Sequence, residues 1–423
     1  MPAETRSHDR LVVALLLLPA LGYLGVMVAD VRRLGQIPFS YVDLLFLVLV
    51  MGYVMVVAGL RESIHRQRLC LVVYAAAIPI LGFEFAGQAM GLRDLPWTPQ
   101  KKRLRLTAKG LPGMQGEVEF NTTWRGVRSP DVWPERREDR ILCVGGSTTE
   151  CLYVTDAETW PWLLGEKLTD KAGRPVLVGN AGRSGHYTGH HYYQLKHYRY
   201  ANDYGTVIVL CGINDMATFR RRNLADVQRR VPEEALMLTA QKHSALRGSI
   251  LVSTLYGIWK TSTVNPRYAI IQDFAAESVN VVKDRRRRYL KKNVIGEMPK
   301  GLVGAMENYQ RNIRRIANLC RQRQQRVVFV TQPTLYHEKM SEDLDALICE
   351  YTDHGSHTTK VLKQLMDAYN DRLLETCREL GVECLDLNAM LPKDTTVFYD
   401  DCHFNPSGCK LVAAALFDFL QRN

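Results

Sequence analysis

The sequence lacks the dense, regularly spaced cysteines that staple small secreted domains. It has 10 cysteines in 423 residues, and their spacing specifies no disulfide framework. Cys143 and Cys211 fall within predicted core strands, where a small buried thiol is the expected role. Cys402 and Cys409 flank a loop near the C-terminus, and their spacing leaves a disulfide open. Cysteine usage therefore does not assign the redox compartment.

A nucleic-acid-binding module is also missing, although the chain is basic. It carries 55 Lys and Arg against 44 Asp and Glu, a formal net charge of +11. The densest basic run is 284–292, Asp-Arg-Arg-Arg-Arg-Tyr-Leu-Lys-Lys. Without an accompanying module, we expect this run to face lipid phosphates or an anionic glycan, and we predict no nucleic-acid partner.

Metal-ligand spacing is absent from residues 186–200, the segment richest in ring side chains. Its histidines and tyrosines have no cysteine or carboxylate at ligand spacing. We therefore predict an aromatic, sugar-binding rim or an amphipathic helix there, and neither a metal nor a cofactor. The ring residues are His186, Tyr187, His190, His191, Tyr192, Tyr193, His197, Tyr198 and Tyr200.

Long apolar runs are present, and they are confined to the start of the chain. Runs at 11–31, 41–60 and 69–87 are each close to the ~20 residues that cross a ~30 Å hydrocarbon core. The first is followed by Asp-Val-Arg-Arg rather than by a small-residue cleavage site. We predict three transmembrane helices within residues 1–90, in contact with membrane lipids. The alternative is a set of buried helices in a soluble domain.

Beyond the apolar runs, short buried strands alternate with helices. This alternation predicts a parallel sheet covered by helices on both faces. Strands are expected at 141–144, 206–211, 326–333 and 382–387, and a further strand that ends in a glycine-rich loop is expected within 174–185. Helices are expected at 159–168, 306–323, 359–380 and 410–420.

Four segments place chemically active residues at the ends of these strands. The first is Val144-Gly-Gly-Ser-Thr-Thr-Glu150, in which Ser147 would open a helix with backbone N–H groups and the helix dipole directed at an oxyanion. The others are Asn180-Ala-Gly-Arg-Ser-Gly185, Gly212-Ile-Asn-Asp215 and Asp400-Asp-Cys-His403. Alone, a Gly-Gly-Ser turn is usually just a connection between a strand and a helix. Together, the segments indicate one site at the carboxyl edge of the sheet.

In order and spacing, the four segments resemble the signature blocks of SGNH, or GDSL-type, esterases and acylhydrolases, across residues 138–422. The resemblance implies a flavodoxin-like three-layer α/β/α domain. It implies Ser147 as nucleophile, His403 as general base and Asp400 as the carboxylate that orients the imidazole. It also implies an oxyanion hole from Ser147, Gly185 and Asn214. Asp401 is the alternative to Asp400, and the i to i+3 spacing favours Asp400.

One position departs from the family pattern, because Gly146 stands where an aspartate usually precedes the serine. Glycine is common there among carbohydrate-directed relatives. We therefore expect a membrane-anchored serine esterase or acyltransferase that forms an acyl-enzyme from O-acyl esters, for instance O-acetyl esters, of an envelope or exported polysaccharide. A lipid acyl-ester hydrolase with an apolar lid at 249–259 is one alternative. A non-catalytic glycan-binding or assembly component that retains the fold is another.

The domain limits follow from these assignments. We predict transmembrane helices in 1–90, a linker or lead-in segment in 91–138, and a catalytic domain in 139–423 with a helical insertion at about 219–305. More basic residues flank the apolar runs on the side of the catalytic domain than on the opposite side. The positive-inside rule, taken literally, would therefore place the catalytic domain in the cytoplasm. Most of that excess lies at 101–109, well beyond the last apolar run, and anchored relatives usually act outside the cytoplasm. We therefore expect an extracytoplasmic domain, and the sequence identifies no partner in the membrane.

Overall fold

The computed structural model describes residues 96–97, 100–106, 111–114, 116–221, 271–274, 293–349 and 356–422. All of them belong to one compact unit of the chain. The predicted transmembrane runs, the 249–259 segment and most of the predicted insertion lie outside the described residues. Within those ranges, no helix combines the length and the hydropathy that a membrane span requires.

A five-stranded sheet forms the centre of the unit, and every neighbouring pair of its strands is parallel. In chain order the strands are β3 (Arg140–Gly145), β4 (Leu177–Asn180), β5 (Thr206–Leu210), β8 (Arg326–Val330) and β10 (Glu383–Leu385). Their spatial order is β4-β3-β5-β8-β10, which is the 2-1-3-4-5 order of flavodoxin-like folds. The predicted parallel α/β architecture is therefore confirmed.

The central strands are continuous apolar runs because residues on both faces of the sheet are buried. Ile141 and Cys143 of β3 share one core cluster with Trp160 and Val412. The alternate residues Leu142 and Val144 are equally buried, and strand geometry directs them to the opposite face. A parallel sheet buried on both faces has this pattern.

Two groups of helices accompany the sheet. Helices α2 (Trp160–Ala172) and α9 (Pro406–Arg422) contact each other, whereas α5 (Leu302–Gln322) contacts both α3 (Thr188–His197) and α7 (Thr359–Leu380). Pro161 lies in the first turn of α2, where its missing N–H costs no hydrogen bond. The remaining described helices are α1 (Ser147–Glu150), α4 (Ile213–Arg221), α6 (Glu342–Asp345) and α8 (Leu387–Met390).

Two smaller sheets lie outside the central one. In the first, β1 (Gln100–Leu106) pairs antiparallel with β2 (Glu117–Thr122) and parallel with β6 (Ile271–Phe274). In the second, β7 (Val294–Ile295) pairs with β9 (Ser356–His357). The segment predicted as a linker thus contributes two strands. β6 lies within the predicted helical insertion, so this part of the insertion is extended rather than helical.

Candidate active site

The residues singled out in the sequence come together at the carboxyl ends of the central strands. Ser147 follows β3, Gly185 lies in the loop after β4, and Asn214 follows β5. The strand order reverses between β3 and β5, and α/β sheets form their ligand crevice at such a switch point. The loop that contains Asp400 and His403 precedes α9 and completes the site from the C-terminal end of the chain.

Ser147, His403 and Asp400 form a continuous chain of hydrogen bonds. His403 Nε2 lies 2.7 Å from Ser147 Oγ, and His403 Nδ1 lies 2.7 Å from Asp400 Oδ2. The other oxygen of Asp400 accepts the backbone N–H groups of His403 and Cys402 at 2.8 and 3.0 Å. This carboxylate therefore fixes both the loop backbone and the orientation of the imidazole.

Asp400, rather than Asp401, contacts the imidazole. The Asp401 side chain accepts a hydrogen bond from the Tyr336 hydroxyl at 2.7 Å, and its backbone carbonyl oxygen accepts the N–H of Leu335 at 2.8 Å. Both partners lie in the segment that follows β8. Asp401 thus attaches the loop to the neighbouring strand end, while Asp400 faces the site.

The imidazole ring is supported from the side by an aromatic ring. Tyr399 stacks on His403 with ring centroids 5.5 Å apart and an interplanar angle of 9°. The Tyr399 N–H also donates to the His403 carbonyl oxygen at 3.1 Å. Packing and backbone pairing therefore limit the ring to the orientation that reaches Ser147.

The electrostatics of the site favour a protonated imidazole in the absence of substrate. Burial disfavours the charged form of His403, but the charge of Asp400 and its hydrogen bond outweigh that effect, with a smaller contribution from Asp401. The pKa of His403 is consequently raised to about 9. An imidazole that must accept a proton from a serine would then be fully available only in alkaline solution.

The helix that begins at Ser147 is a single turn. It is capped by Gly146 without a side-chain hydrogen bond and ends at Cys151 in the left-handed region, φ 52°. One turn carries only a small macrodipole, because that dipole is the sum of aligned peptide units. The prediction that a helix dipole supports the oxyanion is therefore corrected, and the N–H groups of the turn remain as the local donors.

Gly146 has a steric reason to lack a side chain. A Cβ atom built at this position would lie 2.2 Å from Asn214 Nδ2. Two non-bonded atoms cannot come this close, so the Asn214 side chain or the turn would have to move. The Asn214 amide donates to the His186 carbonyl oxygen at 3.0 Å. The departure from the usual family motif therefore accompanies a close approach of Asn214 to the nucleophile turn.

Arg128 is a supporting residue that sequence reasoning did not assign. It is only 3% exposed, and its guanidinium pairs with Asp156 and donates to the carbonyl oxygens of Glu150 and Cys151 at 2.7 and 2.8 Å. These carbonyls end the nucleophile turn, where backbone C=O groups have no partner within the helix, and Arg128 adds a charged donor to each. The only sequence signal was its place in 91–138, the segment predicted as a linker or lead-in.

Asn180 is a second supporting residue without a prediction. Its amide donates to the Thr149 carbonyl oxygen at 2.7 Å, and its side-chain oxygen accepts the Gly182 N–H at 2.9 Å. It thereby ties the loop after β4 to the nucleophile turn. An asparagine buried at the end of an apolar strand was the signal that could have indicated this role.

The ring-rich segment folds mainly as helix α3, in line with the amphipathic-helix alternative. Tyr187, His190 and His191 are buried, and burial lowers the pKa of His191 to about 3. Tyr192 and Tyr193 are partly exposed. The sugar-binding rim therefore stays a prediction for the partly exposed rings alone.

Two groups of metal-ligand atoms among the described residues include Asp400. One combines it with Cys349 and Asp401, and the other contains His403. The side chains of Asp400, Cys402 and His403 offer ligand atoms within 4.8 Å of one another. Asp400 and His403 already hydrogen-bond each other through Nδ1, and the Cys402 thiol lies 3.6 Å from the same nitrogen. Orientation of the imidazole towards Ser147 accounts for this arrangement.

Each cysteine among the described residues is a free thiol. Cys409 lies near Cys151, with 4.0 Å between the sulfur atoms, and Cys402 lies beside His403. The disulfide that the spacing of Cys402 and Cys409 left open is therefore not formed.

Comparison with known proteins identifies one family. The model of the GDSL-like lipase/acylhydrolase family matches residues 143–411, a range that includes all five predicted site residues. No curated protein matches the sequence.

Several solved structures are similar to the chain at low identity. A GDSL-like lipase from Bacteroides thetaiotaomicron is 10% identical, covers 69% of this chain and 92% of its own, and has a TM-score of 0.33. Esterase EstA from Pseudoalteromonas sp. is 10% identical, covers 67% of this chain and 98% of its own, and has a TM-score of 0.34. The acetylxylan esterase Axe2 from Geobacillus stearothermophilus is 12% identical, covers 66% of this chain and 93% of its own, and has a TM-score of 0.36. At such scores these likenesses add nothing to the family match.

Proposed function

Because this chain belongs to the GDSL-like lipase/acylhydrolase family, and is therefore a serine hydrolase that acts on esters, we propose that it forms an acyl-enzyme on Ser147. The observation that carries this proposal is the hydrogen-bonded chain from Ser147 Oγ through the His403 ring to Asp400. A serine hydroxyl is a weak nucleophile until a positioned base removes its proton. These two contacts, each 2.7 Å long, are those that such activation requires.

In the acylation step, His403 Nε2 takes the proton of Ser147 while Oγ attacks the ester carbonyl carbon. Asp400 keeps the proton on Nδ1 and stabilises the imidazolium that forms. When the tetrahedral intermediate collapses, the bond to the alcohol oxygen breaks. His403 gives its proton to that oxygen, and the acyl group remains on Ser147.

The oxyanion of the intermediate would be bound by the N–H groups of Ser147 and Gly185 and by the amide of Asn214. Gly185 adopts a left-handed conformation, φ +77°, and lies in an exposed part of its loop. Asn214 is held against Gly146, next to the nucleophile. Each donor of this kind is worth about 3 kcal/mol in the transition state.

Deacylation repeats these steps with a second hydroxyl compound. His403 removes a proton from water or from a sugar hydroxyl, whose oxygen attacks the acyl carbon. The bond from the acyl carbon to Ser147 Oγ then breaks, and His403 returns its proton to that oxygen. Water gives a hydrolase and a sugar hydroxyl gives an O-acyltransferase. The same catalytic groups serve both outcomes, which differ in how far the site excludes water.

For the substrate, we favour an O-acyl ester, for instance an O-acetyl ester, of an envelope or exported polysaccharide. Support comes from Gly146, which is typical of carbohydrate-directed relatives, and from the partly exposed rings of Tyr192 and Tyr193. The apolar runs within residues 1–90 support a membrane-anchored enzyme. The extracytoplasmic side is chosen because anchored relatives usually act outside the cytoplasm. A lipid acyl ester is the rival substrate, and it would be favoured by an apolar lid at 249–259.

The test compares two substrates with the full chain in detergent. Wild-type protein and Ser147→Ala would be incubated with an acetylated oligosaccharide and with a long-chain phospholipid ester. We expect acetate release from the oligosaccharide by the wild type and not by the variant. Fatty-acid release alone would instead select the lipid ester. The absence of both products from folded wild-type protein would favour a non-catalytic binding or assembly role.

A further inference from the structure

The loop that contains Gly185 is attached to the rest of the site by two buried carboxylates. The first is Glu150, which is 2% exposed and lies in the same helical turn as Ser147. It accepts the backbone N–H of Ser184 at 2.5 Å and also the Ser184 hydroxyl. Ser184 immediately precedes Gly185, so these two contacts fix the 183–184 peptide and the Ser184 side chain. That peptide shares the Ser184 Cα with the next peptide, which supplies the Gly185 N–H.

The second carboxylate is Asp215, which is 8% exposed and follows Asn214 in sequence. It accepts the backbone N–H of Thr188 at 3.2 Å and the Thr188 hydroxyl at 2.5 Å. Asn312 donates to the same hydroxyl at 3.2 Å. The far end of the loop is thereby fixed at the first residue of α3.

Between these two attachments the loop has only three residues, 185–187. Its centre is held by the bond from the Asn214 amide to the His186 carbonyl oxygen, 3.0 Å long. Each carboxylate therefore lies on an element that also carries an active-site group: Glu150 shares a turn with Ser147, and Asp215 adjoins Asn214.

Burial disfavours the charged form of both carboxylates. Burial raises the pKa of Glu150, against the hydrogen bonds from Ser184 and the charges of Arg183 and Arg128. Burial also raises the pKa of Asp215 to about 7, against its bonds from Thr188. A buried acidic group is retained at such a cost when its hydrogen bonds are needed.

We propose that Glu150 and Asp215 are positioning residues that hold the loop 184–188 in the shape that presents the Gly185 N–H to the substrate oxyanion. This inference rests on the proposed acyl-enzyme function of the same site. Neither carboxylate touches the ester. Each acts through the loop, and the loop acts on the transition state.

A positioning role predicts a particular kinetic change. The oxyanion exists only in the transition state, so a displaced Gly185 N–H lowers kcat and leaves KM nearly unchanged. A merely structural role would lower the stability of the protein and leave kcat per folded molecule intact. The two roles are therefore separable in one set of variants.

The experiment measures kcat and KM on an acetyl ester, together with thermal unfolding, for the full chain in detergent. For Glu150→Ala and Asp215→Ala we expect kcat to fall at least about 10-fold, with KM within about 3-fold. Glu150→Gln keeps an acceptor oxygen for Ser184 and should recover most of kcat. Ser184→Ala changes an exposed residue that should not disturb folding, and we expect a several-fold loss of kcat alone.

Asp139→Ala is the matched control. Asp139 is also a buried carboxylate, paired with Arg174, but it precedes the amino end of β3, away from the site. Its loss should lower the unfolding temperature without lowering kcat. The inference is overturned if Glu150→Ala, Asp215→Ala and Ser184→Ala keep wild-type kcat per folded molecule, as the control does. Inactive wild-type protein would instead overturn the proposed function itself.

Discussion

His403 Nε2 lies 2.7 Å from Ser147 Oγ although 256 positions separate the two residues in the chain. The first parallel strand delivers Ser147 to the carboxyl edge of the sheet, and the loop before the last helix delivers His403 to the same edge. Asp400 then orients the ring from its other nitrogen. The proposed chemistry depends on this contact more than on any other.

The first prediction concerns the pH dependence of activity. His403 must be neutral to accept the serine proton, and its pKa is raised to about 9. We therefore expect kcat/KM for an acetyl ester to rise with pH through about 9, and to fall as the imidazole becomes protonated below it. Asp401→Asn removes a charge that raises this pKa and should shift the midpoint to lower pH. A midpoint near the ordinary histidine value in the wild type would contradict the account.

The second prediction separates the two aspartates of the C-terminal loop. Asp400→Asn removes the acceptor that holds the proton on His403 Nδ1, and kcat should fall about 10,000-fold. Asp401→Asn retains an oxygen for the Tyr336 hydroxyl and should change kcat by less than about 10-fold. The measurement is the steady-state kcat of each purified variant, compared with that of the wild type. Equal losses would mean that the loop as a whole, and not the carboxylate of Asp400, sets the activity.

The third prediction concerns the glycine before the nucleophile. A Cβ at residue 146 would meet the Asn214 amide at 2.2 Å, so Gly146→Ala should displace an oxyanion donor and lower kcat about 100-fold. Gly296→Ala is the control, because a Cβ there meets nothing within 4 Å. Unchanged kcat in Gly146→Ala would show that Asn214 takes no part in binding the oxyanion.

The fourth prediction concerns stability and the buried Arg128. Arg128→Ala removes the buried cation that pairs with Asp156 and donates to the carbonyl oxygens of the nucleophile turn. The Asp156 carboxylate keeps its hydrogen bonds from Asn121 but loses its charge partner. We expect a loss of about 3–5 kcal/mol in the free energy of unfolding, measured by denaturant titration. Arg314, which pairs with Glu379 at the surface with both side chains about half exposed, is the comparison. Arg314→Ala should cost less than about 1 kcal/mol.

Much of the central sheet could be predicted from the sequence because the inner strands β3, β5 and β8 are short apolar runs. β3 at Arg140–Gly145 and β5 at Thr206–Leu210 lie within a residue or so of the predicted bounds. The helix at Thr359–Leu380 has the predicted bounds, since a threonine caps its start and a glycine in the left-handed region ends it.

The supporting residues of the site could not be predicted in the same way. Arg128, Glu150 and Asp215 act through contacts between segments that are distant in the chain or in different elements, and no local periodicity encodes such pairs. The strands β1 and β2 were missed because their segment is rich in charge, proline and glycine, which predicts a linker. The transmembrane runs and the extracytoplasmic placement stay predictions.

Labelling by a fluorophosphonate would show whether Ser147 is an activated nucleophile. This reagent forms a covalent bond with a serine oxygen only when that serine is activated, and it needs no knowledge of the natural substrate. The full chain in detergent would be compared with Ser147→Ala and His403→Ala. The account predicts labelling of the wild type and of neither variant. Folded wild-type protein that stays unlabelled, or a Ser147→Ala variant that labels as fast as the wild type, would contradict it.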